Sequence, residues 1–255
     1  FLLPFLILSY HFSNGNRELQ KYYTLRYLEM RTSAGARIVA DVLNTTYNLS
    51  RLASDKKFAG DRKGVLEKKI SEAPFIYSEL VVLGRSGGEL LRVPAARKGA
   101  PAFNYGKSQV FAEAKKTAQA AGAVEYGPYT PPALLIAEPI GSASSPEYYL
   151  AGRLSLAYMG ELVRLMGKNS HGNMGLVDAG GQIMADSMNM STRQPGILAP
   201  REIAGVLASA IDGEAGSAAR EVRGRGRSYL VSVANVPGSK WWFYEVMDKI
   251  GRAHV

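Results

Sequence analysis

The sequence predicts an α+β protein in which a long N-terminal helix precedes two copies of one five-stranded antiparallel unit. Two observations carry this expectation. The stretches "LVVLGRSGGELLRV", from Leu80 to Val93, and "MGLVDAGGQIMADS", from Met174 to Ser187, have the same form of two apolar arms around a glycine turn, with Gly87-Gly88 and Gly180-Gly181 spaced 93 residues apart. From Asn16 to about Leu52 there is no proline, and Ile38 with Val42, Val39 with Leu43, and Leu43 with Tyr47 recur at i,i+4, as an apolar helical stripe requires.

At 255 residues the chain can hold two domains of roughly 100 residues each. A content of 46% hydrophobic and 21% charged residues is that of a chain that buries a core. The formal charge of +9 would suit an anionic partner, but the basic residues are scattered and only "ARKGA" and "REVRGRGR" approach clusters, so nucleic acid is not expected. Cysteine is absent, which excludes disulfides, CxxC redox sites and Cys-rich zinc sites.

The elements follow in order. Gly35 weakens the long helix by about 1 kcal/mol relative to alanine without forbidding it. "SDKKFAGDRKG" is a polar turn, and "VLEKKISEA" a short helix ended by Pro74. The first hairpin has the arms "IYSELVVLG" and "ELLRV", and "RSGG" supplies the positive-φ residues of its turn. After a loop from Pro94 to Ser108, "SQVFAEAKKTAQAAG" is a helix that Ser108 caps and Gly122 stops. "ALLIAEPI" and "YYLAGRLSL" are strands about the turn "GSASSPE", and "AYMGELVRLMG" is a helix leading to the second hairpin. The second half repeats the order with the loop "MNMSTRQPGILAP", the helix "REIAGVLASAI", a Gly-rich connection and the strands "SYLVSVANV" and "WWFYEVM".

The two ends read differently from the body. "FLLPFLILSYHF" would reach about 15–18 Å as a helix against roughly 30 Å of bilayer hydrocarbon, so residues 1–15 are expected to be the end of a membrane helix that begins before Phe1. A signal-peptide core or a buried first helix are the other readings of this segment. "IGRAHV", from Ile250 to Val255, back-translates codon for codon as a common sequencing-adapter sequence and is set aside as non-native.

The long helix after an apolar segment, the hairpin "VVLGRSGGELLRV", the stretch "YGPYTPPALLIAEPI…AGRLSL", the hairpin "GLVDAGGQIMADS" and the closing "YLVSVANVPGSKWWFYEV" together resemble the double Cache sensor modules of bacterial membrane receptors. The resemblance covers roughly Asn16 to Met247. It implies two tandem PAS-like subdomains: residues 16–73 a stalk helix and a short helix, 74–157 a membrane-distal subdomain and 158–249 a membrane-proximal one. It further implies an extracytoplasmic region of the bacterial inner membrane that senses a small molecule through its distal half. The output domain would be a histidine kinase, a diguanylate cyclase or a chemotaxis signalling domain.

In the amino-acid-binding members of that family a Tyr, Arg, Trp-Tyr and Ala pattern lies on the helix after the first hairpin. Here the stretch is "FNYGKSQVFAEA", in which Phe111 and Ala114 fit, whereas Ser108 stands in place of the Arg and Val110 in place of the Trp. The ligand-binding candidates are Arg92, Tyr105, Lys107, Phe111, Tyr126, Tyr129 and Glu138. For the aromatics the alternative is core packing, and for Arg92 and Glu138 a solvated strand position. Glu138 interrupts the apolar run "LLIAEPI", where a buried carboxylate needs a cationic or donor partner.

No GxSxG, HExxH, Walker A or helix-opening GxGxxG is present, and "GKNSHGN" offers a Ser and His171 without a placed acid, so neither an enzyme nor a cofactor or metal site is expected. "GRGRS" reads as a flexible loop, and of Trp241 and Trp242 one is expected in the core and one near lipid headgroups. The expected partners are a small-molecule ligand, an organic acid being one class, the membrane through flanking helices, and a second copy of the chain. The alternative function is a structural dimerisation or protein-interaction module that has no small-molecule ligand.

Overall fold

A computed structural model of the chain describes residues 2–94, 103–117, 121–126, 132–142, 145–168, 170, 172–187, 201–213, 216–224 and 227–248. Tyr129, His171, the loop 188–200 and the closing hexapeptide 250–255 lie outside the described residues. The chain divides into two compact units, a first built on Asp41–Leu162 and a second built on Phe1–Ala40, Val163–Met190 and Ile197–Val255.

Helix α1 (Leu2–Thr46) runs for 45 residues. Its last turn belongs to the first unit, where the Thr46 carbonyl, left without a partner inside the helix, accepts from the Tyr77 hydroxyl at 2.5 Å. Next come α2 (Ser50–Ala53) and α3 (Arg62–Glu72). Asp61 caps α3 by accepting from Gly64 N at 2.8 Å, and Leu66 is its fully buried residue. The first sheet consists of β1 (Tyr77–Leu83), β2 (Glu89–Val93), β3 (Ala121–Glu125), β4 (Ala133–Ser142) and β5 (Ser145–Ser155), all antiparallel in the order β2-β1-β5-β4-β3. Central strand β5 is covered on both faces: Tyr148 stacks on Phe58 on one side, and Tyr149 meets Phe111 edge-on on the other. Helix α4 (Gln109–Thr117) lies on the second of these faces, called here the front.

The second unit opens with the end of α5 (Ala157–Gly167) and repeats the sheet with β6 (Gly172–Asp178), β7 (Ile183–Asp186), β8 (Ser217–Gly224), β9 (Arg227–Asn235) and β10 (Trp241–Asp248), in the order β7-β6-β10-β9-β8. Helix α6 (Arg201–Asp212) covers its front face with Ile203, Val206, Leu207 and Ala210. The N-terminal part of α1 covers its back face, where Leu28 packs on Leu230 and Met247 and Arg31 pairs with the wholly buried Glu245 at 2.8 Å. At Gly35 a Cβ would come within 2.6 Å of the Phe243 ring, so glycine here sets how closely the helix approaches the sheet.

Several details differ from the sequence expectation. The helix face buried on the sheet runs through Thr24, Leu28, Thr32, Ala36 and Val39, while Ile38 is exposed. Thr24 and Thr32 enter this face because their hydroxyls donate to the carbonyls of Gln20 and Leu28, which hides the polar atoms. The fifth strand of each sheet, β3 or β8, forms where a helix end and a Gly-rich connection were expected, and Gly122 lies within β3 rather than at a helix end. Trp241 and Trp242 are both buried.

The hairpins repeat at 94 residues rather than 93. The glycines with positive φ are Gly87 and Gly181, the first of one pair and the second of the other. Turn hydrogen bonds Gly87 N to Gly84 O and Gly181 N to Asp178 O keep the same spacing. So does the bulge between Val82 and Leu83, matched by that between Leu176 and Val177. Because residues directly opposite in an antiparallel ladder share a face, equivalent rows can be read across both sheets. Arg92, Val81, Ala151 and Ala137 in the first correspond to Asp186, Gly175, Tyr244 and Val233 in the second.

Candidate ligand-binding site

The front face of the first sheet carries charge at one flank. On β1 and β2, Glu79 and Arg92 project to this face and meet Tyr105, which a 3₁₀ turn (Tyr105–Lys107) presents from above. Arg92 Nη1 donates to Glu79 Oε1, its Nε to both Glu89 oxygens at 3.1 and 3.0 Å, and its Nη2 to the Phe103 carbonyl at 2.8 Å. The Tyr105 hydroxyl donates to Glu79 Oε2 at 3.0 Å. Hydrogen bonds donated to Glu89 and Glu79 raise the Arg92 pKa against its burial, so it stays ionised. Burial first, and then the Glu79 charge, push the Tyr105 hydroxyl pKa up and keep it a neutral donor.

This cluster is largely closed on itself, since both Glu79 oxygens and four of the five Arg92 N–H donors are engaged. It positions the turn. Gly106 comes so close to Gly87 that a Cβ on it would run into the Gly87 carbonyl, and a Cβ on Gly87 would meet the Phe111 ring at 2.7 Å. Phe111 is buried with Val81, Leu83, Tyr149 and Ala151, and Ala137 and Ala151 beneath it have no solvent exposure.

The other candidates are distributed around this centre. Lys107 is exposed and its backbone N–H donates to Asn104 Oδ1 at 3.2 Å. Tyr126 is half-buried at the end of β3. Tyr129 is outside the described residues. Glu138 is on the back face: its two oxygens accept from Leu49 N at 3.1 Å and Ser50 N at 2.6 Å, at the start of α2, so its donors are backbone amides. Burial raises its pKa against the lowering effect of those two amides. Arg92, Tyr105 and Phe111 therefore lie together, and Glu138 lies across the sheet from them.

Three residues that the sequence reading did not single out complete the flank: Glu79, Arg153 and Glu125. Arg153 stands directly opposite Glu79 on β5, and its Nη2 is 2.7 Å from Glu125 Oε2 on β3. At the equivalent positions of the second sheet stand Asn173, Val246 and Val222, and the two valines pack on the apolar cluster under α6. At these two positions the face carries valines in one unit and an ion pair in the other. The polar groups on this face of the second unit are Arg220, which donates to the Gly205 carbonyl of α6, and a buried cluster in which Asp186 Oδ2 accepts from Tyr244 at 2.7 Å and Asn173 at 2.9 Å.

A groove of about 710 Å³ runs along α2 and α3, lined in part by Leu52, Asp55, Lys57, Asp61 and Lys68, away from this face. Its mixed charges are solvated and do not converge. Among the described residues no group of three His, Asp or Glu side chains is placed to hold a metal.

Comparison with solved structures identifies the fold. The ligand-binding domain of the Pseudomonas fluorescens chemoreceptor CtaA, in complex with L-isoleucine, matches with a TM-score of 0.66 and 14% identity, over 92% of this chain and 97% of that one. That of the Pseudomonas aeruginosa PAO1 amino acid chemoreceptor PctB, in complex with L-Arg, matches with a TM-score of 0.60 and 17% identity, over 93% and 99%. The extracellular domain of mmHK1S-Z2, described as a histidine kinase, matches with a TM-score of 0.67 and 12% identity, over 88% and 97%. No protein-family model and no curated protein matches the sequence. The chain has the tandem PAS-like fold of double-Cache-type sensor domains.

Proposed function

We propose that this chain is the extracytoplasmic small-molecule-sensing region of a bacterial transmembrane signalling receptor, a sensor rather than an enzyme, whose ligand binds on the front face of the first unit. The observation that carries this reading is the asymmetry between two copies of one face. Positions where the partly buried Val246 and Val222 pack against the core of the second unit hold Arg153 and Glu125 in the first, beside Glu79, Arg92 and Tyr105. A half-exposed ion pair adds little stability in place of packed apolar side chains, and a polar occupant would account for keeping one here. The ligands carried by CtaA and PctB, L-isoleucine and L-Arg, are small molecules with ionised groups, which agrees with this choice of face.

On this reading residues 1–15 are the end of a membrane helix, 16–73 the stalk, 74–157 the membrane-distal subdomain and 158–249 the membrane-proximal one, in the periplasm or outside the cell. Among the described residues no helix is long and apolar enough to cross a membrane. The chain acts as a homodimer through α1, on which Leu19, Tyr23, Tyr27 and Met30 form an exposed apolar stripe at helical spacing. Binding is relayed through α1 and the second unit to a cytoplasmic kinase, cyclase or chemotaxis domain.

A purely structural dimerisation role is the second reading. The full burial of Ala137 and Ala151 beneath Tyr105 and Phe111 favours it. Thermal-shift screening of the intact chain against organic acids, amines and purines separates the two. Sensing predicts a saturable rise in Tm that Phe111→Leu or Tyr105→Phe reduces and Tyr244→Phe leaves in place. No saturable ligand, or one sensitive only to second-unit changes, would reject it.

A further inference from the structure

Resting on the sensing role proposed above, we infer that Arg153 on β5 is the anchor for a ligand carboxylate, and that Glu125 on β3 is a resident carboxylate which the ligand displaces. Of the two arginines on this face, Arg92 has four of its five N–H donors divided among Glu79, Glu89 and the Phe103 carbonyl, and its side chain is only 5% exposed. Arg153 has a single ion-pair partner among the described residues, Glu125. Its side chain is 37% exposed and that of Glu125 38%, so a solute reaches both.

The pair is poorly aimed. Glu125 Oε2 is within 2.7 Å of Arg153 Nη2 yet is a buried atom with no directed hydrogen bond. A guanidinium presents its donors as a planar fork that a free carboxylate can meet with two parallel hydrogen bonds. Glu125, at the last position of an edge strand, reaches Arg153 with Oε2 without such a directed pair. A ligand carboxylate therefore competes by geometry, exchanging one carboxylate for another on the same cation with no change in charge count at Arg153.

Helix α4 offers no alternative anchor at its first turn: Ser108 Oγ is spent accepting from Phe111 N at 3.2 Å, and Val110 is buried in the core. The ligand class this selects is a small organic carboxylate. A zwitterion would instead use Glu125 for its ammonium group.

The test is isothermal titration of the intact chain with acetate, propionate, succinate and benzoate, with their uncharged amides, and with glycine and γ-aminobutyrate. At least one carboxylate should bind and its amide should not. Arg153→Lys, which keeps the charge and loses the fork, should weaken that binding by about tenfold or more. Glu125→Gln should tighten it by about threefold or more, because removing the competing closed state raises the competent fraction. Melting temperatures of the unliganded variants check that each folds, and Glu125→Gln tests the displacement independently of Arg153.

Weaker carboxylate binding in Glu125→Gln would make Glu125 a ligand contact and overturn the inference. Equal affinity in wild type and Arg153→Lys would do the same. A neutral or cationic ligand insensitive to both variants would overturn it while leaving the sensing role standing, whereas a chain with no ligand in any class would lose both.

Discussion

Ala151 and Tyr244 occupy the same register position in their two sheets, one opposite Val81 and the other opposite Gly175. The tyrosine needs the glycine, because a Cβ at residue 175 would lie against its ring. Gly175→Ala should therefore destabilise the protein by about 1–3 kcal/mol, the usual effect of overpacking a filled core. Tyr244→Phe should cost about 1 kcal/mol, since Asp186 keeps Asn173 as a donor. Urea midpoints measure both, and an unchanged midpoint in Gly175→Ala would mean that the ring does not pack there.

Arg31 on α1 pairs with Glu245, which has no solvent exposure and whose other neighbour is the Ser170 hydroxyl at 2.9 Å. Arg31→Ala should cost about 2–3 kcal/mol near neutral pH, below the full effect of breaking a buried pair because Arg31 is itself 25% exposed. Burial raises the Glu245 pKa, against the lowering by Arg31 and Ser170. As pH falls through that raised value the carboxyl takes a proton and no longer needs the cation. The stability gap between wild type and Arg31→Ala should narrow on acidification, and a gap constant from pH 4 to 8 would show that the pair is not what holds the helix.

Glu138 gives a second pH dependence. Its pKa in the folded state is raised above the ordinary 4.5, chiefly by burial, so its contribution is fully present below about pH 4.5 and is lost as pH rises through the raised value. Glu138→Gln does not titrate. The stability of wild type relative to this variant should fall across that window and level off above it, as read from thermal melts in matched buffers. A rise with pH would mean that the amides of Leu49 and Ser50 outweigh desolvation.

The dimer proposed through α1 predicts a pattern rather than a single contact. The native chain has no cysteine, so single cysteines from Glu18 to Met30 report only on the introduced site. Crosslinking should peak at Leu19, Tyr23, Tyr27 and Met30, the exposed apolar positions, and fade at the buried Thr24 and Leu28. Yields without helical periodicity would reject this face as the contact.

What the sequence made legible was whatever a local pattern encodes. The two glycine turns, the short helix ended by Pro74 and the helix "REIAGVLASAI" can be read from local sequence, although the first of these helices begins at Arg62, inside the stretch read as a polar turn. Strand β3 could not, because "AGAVE" has one β-branched residue and takes its conformation from pairing with β4. The 93-residue spacing of the glycine pairs missed the structural repeat by one, since a turn is defined by which glycine adopts positive φ and not by where glycines are adjacent. Arg92 was legible as an interesting charge, but its partner Glu79 is set by sheet register. Arg153 and Glu125, 28 positions apart on strands separated by β4, meet through topology that no local pattern announces.

The two units also differ in when they can be completed. Nearly all of the first is drawn from the segment Asp41–Leu162, whereas the second needs α1, which precedes that segment, and β10, which follows it, with Arg31 and Glu245 closing a loop of more than 200 residues. During synthesis the first sheet can close while later strands are still being made, and the exposed Leu28 face of α1 must wait for Leu230 and Met247. Helix α1 is thus made before the first unit yet is the last to find its full set of contacts, and synthesis halted before β9 would leave a finished first unit with the Leu28 face of α1 still uncovered.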